Sequence, residues 1–151
     1  MTDRIHFEDL TVGETREFGS YEMTREEIVE YGRRFDPQPY HVDEDAGEAA
    51  FGGLIESALH TLSVAQRIVA DNLYRESVTK SGAGFESIDC TALVKPGDTL
   101  RVRATILEKR ALNSLPDRGI VHIEYTVLNQ NDEEVLNTVA LPFFARRDAL
   151  E

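Results

Sequence analysis

One cysteine is all that this 151-residue chain holds. A lone thiol, Cys90, excludes an internal disulfide and any metal site built from several thiolates. It falls in a run that reads as a strand, with no helix start or basic partner beside it, so it is expected to be buried filler. Lysine is scarce: 3 Lys and 13 Arg stand against 17 Glu and 11 Asp, for a net charge of −12. Such a chain repels nucleic acid, whose binding depends on neutralising phosphates, and it repels an anionic membrane as well. No apolar run approaches the ~20 residues of a membrane span. The first residues, MTDRIHFEDL, are acidic and lack the basic-then-apolar layout of a signal peptide. A cytoplasmic protein is expected, with a single domain over residues 1–151 and no room for a separate cofactor-binding module.

What is present is acid spread evenly along the chain. Composition leaves two readings open: adaptation to molar salt, which screens self-repulsion, and an ordinary acidic protein. Apolar residues make up 41%, enough for a core. There is no repeat, low-complexity tract or linker. After a leading loop with a turn at Val12-Gly13-Glu14, Arg16 to Met23 reads as a strand. Thr24-Arg25-Glu26-Glu27 has the form of a capping box and opens a helix running to about Phe35. Pro37 and Pro39 then forbid helix and impose an extended bend. A long helix is expected from near Leu54 to about Tyr74, on the stripe Ile55, Leu59, Leu62, Ala65, Val69 and Leu73, widened by Ala58, Val64 and Ile68. Period-two patterns follow at Phe85–Val94, Thr99–Leu112, Ile120–Leu128 and Val135–Phe144, four strands in antiparallel series. One face of that sheet must cover the long helix.

Four histidines are the candidates for chemistry. Nothing titratable is patterned around His6 or His122, so structural roles are expected for both. His60 lies off the main helical stripe and reads as a satisfied, half-buried histidine. His41 differs, because it lies in Asp36-Pro37-Gln38-Pro39-Tyr40-His41-Val42-Asp43. On a continuous helix, residues five apart point ~140° away from each other. A rigid proline bend removes that obstacle and can bring a carboxylate and an imidazole together at low entropic cost. Such a pair can orient a water, take its proton and return a proton elsewhere. Asp36 also falls at the negative end of the first helix, which should favour its protonated form. Spacing alone leaves open a turn whose Asp and His merely bond to the backbone.

Asp36-Pro37-Gln38-Pro39-Tyr40-His41-x-Asp43, followed by Phe51-Gly52-Gly53-Leu54-Ile55-x-Ser57-x-x-His60-Thr61, resembles the MaoC-like dehydratase family, which includes the (R)-specific enoyl-CoA hydratases. Val94-Lys95-Pro96-Gly97-Asp98-Thr99-Leu100 is similar to the family's approach to a long strand, so the likeness spans about residues 8 to 145. It implies an α+β hot-dog fold, a curved antiparallel sheet wrapped around a long central helix. It implies a homodimer acting on an acyl-CoA thioester, hydrating a trans-2-enoyl-CoA to the (R)-3-hydroxyacyl-CoA or the reverse, with no cofactor and no metal. Asp36 and His41 would activate the water. The Ala58 amide would bind the thioester oxygen at a helix start, with Ser57 and Gly53 against the substrate. In the family the position of Ala58 is usually Gly, and that of Glu56 is small and apolar. Coenzyme A phosphates would need basic partners from Arg33-Arg34, Lys109-Arg110, Arg118 and Arg146-Arg147. A hot-dog thioesterase, in which water attacks the carbonyl carbon, and a non-catalytic acyl-CoA-binding protein are the alternatives.

Overall fold

Alternating side chains make the second half of the chain a sheet. In the computed structural model, which describes residues 3–148, β1 (Thr15–Glu22), β2 (Thr79–Cys90), β3 (Thr99–Ala111), β4 (Arg118–Leu128) and β5 (Glu134–Ala145) form one antiparallel sheet. On β3, Leu100, Val102, Ala104 and Ile106 are buried on one face, and Arg101, Arg103 and Thr105 take the other.

The strand order is β1-β3-β4-β5-β2. This corrects the expected simple series, because β2 lies at the far edge beside β5 rather than next to β3. The link over residues 91–98 is pinned on its way across: Thr91 donates its amide to Val135, and Val94 accepts the amide of Glu56. β2 also starts earlier than Phe85 and stops at Cys90. Almost all of it is exposed, Cys90 included, so the expectation of a buried thiol was wrong. An edge strand offers its outer face to solvent, and burial there needs a second chain.

α4 (Ala58–Asn72) is the central helix, packed on β1, β3 and β5. At 15 residues it is shorter than expected at both ends. Residues 54–57 stay extended because the Ile55 and Glu56 amides are taken by the carbonyls of Tyr40 and Val94. At the other end the chain tightens into a 3-10 turn, Tyr74–Glu76. The buried face is His60, Thr61, Val64, Ala65, Ile68 and Val69, whereas Leu59 is 54% exposed. The apolar stripe is therefore rotated from the expected one, with two polar side chains on the inside of its first turn.

Between β1 and α4 lie three helices. α1 (Arg25–Phe35) was expected; α2 (Pro39–Val42) and α3 (Glu44–Phe51) were not. Pro39 opens α2 rather than forbidding it, since the first helical position needs no amide hydrogen. Asp43 caps α3 by accepting the Asp45 amide, and Gly52 ends it in a left-handed conformation at φ 76°. EDAGEAAF carries no strong apolar stripe, so α3 escapes a reading by period.

Candidate active site

Local rules place the two central side chains. Thr24 caps α1 by accepting the Glu27 amide, and Arg33 and Arg34 occupy its negative end. Glu27 does not complete the capping box; its carboxylate accepts the Tyr21 hydroxyl instead, at 2.5 Å. Asp36 caps the C-terminus, and Pro37 keeps it out of helical geometry. Pro39 starts the single turn that carries His41. Gly32 lets that turn lie close on α1: a Cβ there would sit 3.1 Å from both His41 Cβ and the His41 carbonyl.

Asp36 and His41 meet. His41 Nε2 lies 3.4 Å from Asp36 Oδ2. His41 Nδ1 is 2.8 Å from the carbonyl of Ile55, which can only accept, so Nδ1 carries a hydrogen. In the neutral ring Nε2 is then an acceptor, facing a carboxylate oxygen that is also an acceptor. Asp36 Oδ2 receives the Ser57 hydroxyl at 2.7 Å, and Oδ1 receives the Gln38 amide at 2.7 Å. The Tyr40 hydroxyl in turn donates to Gln38. The Ser57 and Gln38 hydrogen bonds hold the Asp36 carboxyl below its ordinary range. This corrects the expectation from the helix dipole, because donors in contact outweigh a partial charge at the helix end.

The start of α4 supplies the third part. Ser57 is the N-cap by backbone, and its carbonyl accepts the amides of His60 and Thr61. Its hydroxyl caps nothing, being committed to Asp36. Ala58 is the first helical residue, and among the described residues its amide has no hydrogen-bond partner. Ser57 therefore joins Asp36 and His41. Gly53 stands apart, its amide bonded to Gly47 in the loop before α4. The sequence reading missed Gln38 and Tyr40 as supports, although both lie inside the motif that pointed to Asp36 and His41.

A second carboxylate–histidine group lies on the same turn. Glu56 Oε2 is 3.3 Å from His60 Nδ1, and His60 Nε2 is 3.6 Å from Glu27 Oε1. Thr61 donates to Glu56 Oε1. His60 stacks flat on Tyr31, ring centroids 4.4 Å apart. Burial pushes the Glu56 carboxyl up to about 8 and pushes the His60 imidazole down. His60 is thus fully buried, and not satisfied as expected: neither Nδ1 nor Glu56 Oε2 has a hydrogen-bond partner. An open cleft of about 190 Å³ runs past it, lined by Glu27, Glu30, Tyr31, Arg34, Phe35 and His60.

Of the basic residues, several are engaged elsewhere. Arg118 pairs with Asp117, Arg146 with Glu8, and Arg147 with Asp3 and Asp9. Lys109 bonds the Phe7 carbonyl. Arg33 and Arg34 are exposed on the last turn of α1, directly before Phe35-Asp36.

An antiparallel sheet wrapped on one central helix defines a hot-dog protein. The chain belongs to the MaoC-like domain family, whose sequence profile matches residues 8–126. The crystal structure of the MaoC-like dehydratase from Rhodospirillum rubrum is 33% identical, with a TM-score of 0.85 over 95% of this chain and 98% of that one. The unliganded (R)-hydratase PhaJ1 from Pseudomonas aeruginosa has a TM-score of 0.75 at 23% identity, over 94% of this chain and 86% of that one, a likeness of fold alone. The uncharacterized protein YdeM of Bacillus subtilis is 26% identical over 135 residues, 87% of this chain and 92% of its own.

Proposed function

We propose that this protein adds water to a trans-2-enoyl-CoA to give the (R)-3-hydroxyacyl-CoA, or runs the reverse dehydration. The observation that carries the reading is the pair of facing acceptors, Asp36 Oδ2 and His41 Nε2, 3.4 Å apart. One water, donating a hydrogen to each, is the molecule that complements them. Its lone pair is then free to attack the β-carbon. As the C–O bond forms, the alkene electrons move onto the thioester oxygen and give an enolate. The water's proton passes to Asp36 and from there to the α-carbon as the enolate collapses. An ionised Asp36 is ready to accept at neutral pH, and as a weak base it returns the proton readily.

The Ala58 amide, at the positive end of α4, would receive the enolate oxygen. Ser57 would steady Asp36 and, with Gly53, border the substrate. Arg33 and Arg34 stand nearest the site in the chain for the coenzyme A phosphates. A second copy would pair along β2, whose ladder to β5 is interrupted at three places and whose Phe85 and Ile88 are each more than 40% exposed.

The test is incubation with a panel of enoyl-CoAs, following both loss of the enoyl absorbance and release of free thiol. Loss of absorbance with the thioester intact is expected. Thiol release instead would make the protein a thioesterase, and neither would make it a binding protein.

A further inference from the structure

Ser57 presents a deficit. A serine at a helix start ordinarily bonds a first-turn amide and steadies that turn. Here the hydroxyl is turned away to Asp36, so the turn that carries Ala58 begins without its cap. The side chain that ties this turn down is Glu56. Its carboxyl folds back over the helix, with Oε1 on the Thr61 hydroxyl and Oε2 on His60 Nδ1. His60 lies flat on Tyr31 of α1 and points Nε2 at Glu27, which holds the Tyr21 hydroxyl of β1. One chain of contacts thus links the start of α4 to α1 and β1.

Both nitrogens of His60 face carboxylates, Glu56 Oε2 at 3.3 Å and Glu27 Oε1 at 3.6 Å, and a neutral ring carries a single hydrogen. One of the two contacts would therefore set acceptor against acceptor unless a carboxyl is protonated. Glu56 is wholly covered whereas Glu27 is 36% exposed at the side chain, so the extra hydrogen falls on Glu56 Oε2, which donates it to Nδ1. The ring hydrogen then sits on Nε2, where the Glu27 carboxylate can receive it.

Resting on the hydratase reading above, we propose that Glu56 is a positioning residue: protonated and joined to His60 and Glu27, it fixes the first turn of α4 and keeps negative charge away from the Ala58 amide. Burial and the charges around Glu56 favour its protonated form. Burial acts first, and the carboxylates of Glu27 on α1 and Asp98 before β3 add to it, while the Thr61 hydroxyl opposes. Ala58 is two residues further along, on the turn that Glu56 folds over through Thr61 and His60. An ionised Glu56 there would oppose the enolate charge that the amide has to accept, and it would repel Glu27.

The experiment is a pH series of kcat and KM on an enoyl-CoA, from about pH 6 to about 9.5, for the intact protein and two variants. The parent is expected to lose kcat as pH rises through about 8, with KM little changed. In Glu56→Gln the carboxamide keeps both contacts, an N–H for His60 and an oxygen for Thr61, but cannot ionise, so the alkaline loss should vanish. Glu56→Ala should lose about 10-fold or more in kcat across the range, since small misplacements of catalytic groups are costly, and Glu56→Gln should recover most of it. An alkaline limb that persists in Glu56→Gln, or a folded Glu56→Ala with parental kcat, would overturn the proposal. If Glu56→Ala does not fold, the parent and Glu56→Gln decide alone. If the parent hydrates no enoyl-CoA, the functional reading fails, and the relay is judged by NMR titration of the Glu56 carboxyl and His60 ring. A Glu56 carboxyl titrating at about 8, with the His60 ring signals responding in step, supports the relay, and a Glu56 carboxyl titrating near its ordinary 4.5 overturns it.

Discussion

Two carboxylate–histidine pairs adjoin the start of α4, and their surroundings drive them in opposite directions. Asp36 is 20% exposed at the side chain, receives two neutral donors and is held ionised. Glu56 is completely covered, receives one hydroxyl, faces two other carboxylates and is held protonated. The histidines differ as well. His41 has its Nδ1 hydrogen fixed by a backbone carbonyl and its Nε2 left for a guest, whereas both nitrogens of His60 face carboxylates of the protein. On the proposed reading, a carboxylate and an imidazole make a reactive pair where donors and some solvent reach them, and a structural one where burial dominates.

The largest effect expected from breaking this contrast is on turnover. Asp36→Asn keeps the shape of the first pair and removes its base, so hydration should fall ~10²–10⁴-fold with folding intact. If Asp36 and His41 act on one water, as proposed, adding His41→Ala should cost little beyond the poorer single change. Steady-state rates and thermal unfolding of the three variants check both statements. Unchanged activity per folded molecule would return the pair to a structural role.

The second pair should show itself in stability rather than chemistry. Glu56 holds its proton to about 8 in the folded chain but to about 4.5 when unfolded. Between those values the folded state binds a proton that the unfolded state has released. Stability is therefore full below the lower value and declines until the upper one is passed, by on the order of a few kcal/mol. Glu56→Gln should flatten that decline in denaturant unfolding measured across the range.

Ser57→Ala sharpens the comparison from the other side. Without its hydroxyl, Asp36 loses the main donor that keeps it ionised, so the acid limb of the activity profile should move to higher pH. A loss of about 10-fold in kcat is expected alongside. An acid limb that stays in place would mean that Ser57 does not set the charge of Asp36. The smallest effect concerns the whole surface. If the acid excess answers to salt, the melting temperature should rise from dilute buffer toward about 1 M potassium chloride, where the screening length is only ~3 Å. A flat response leaves an ordinary acidic protein.

The legible part of this molecule is the part that follows local rules. Thr24 as a cap, the break in helix at Pro37 and the alternation of β3 and β4 could be read from spacing. Asp36 and His41 stood out because two prolines interrupt the chain between them. The remainder depends on contacts distant in sequence. The stripe of α4 was misphased because its first turn buries His60 and Thr61, polar residues that only the Glu56 contacts make tolerable inside. Ser57 could be named as a residue at the site, but its bond to Asp36, 21 positions away, has no signature in spacing. The placement of β2 beside β5, and with it the exposure of Cys90, is decided by pairing across the whole sheet. Pro39 was misread because the same residue that ends one helix is well suited to begin another.

The central claim is that the Asp36–His41 pair directs water to the β-carbon of an enoyl thioester. Incubating the protein with a trans-2-enoyl-CoA in oxygen-labelled water, then locating the label by mass spectrometry, tests it most directly. The account predicts label in the hydroxyl of an intact 3-hydroxyacyl-CoA, and far less of it in the same time with the Asp36→Asn variant. Label in a free carboxylate, accompanied by released thiol, would contradict it.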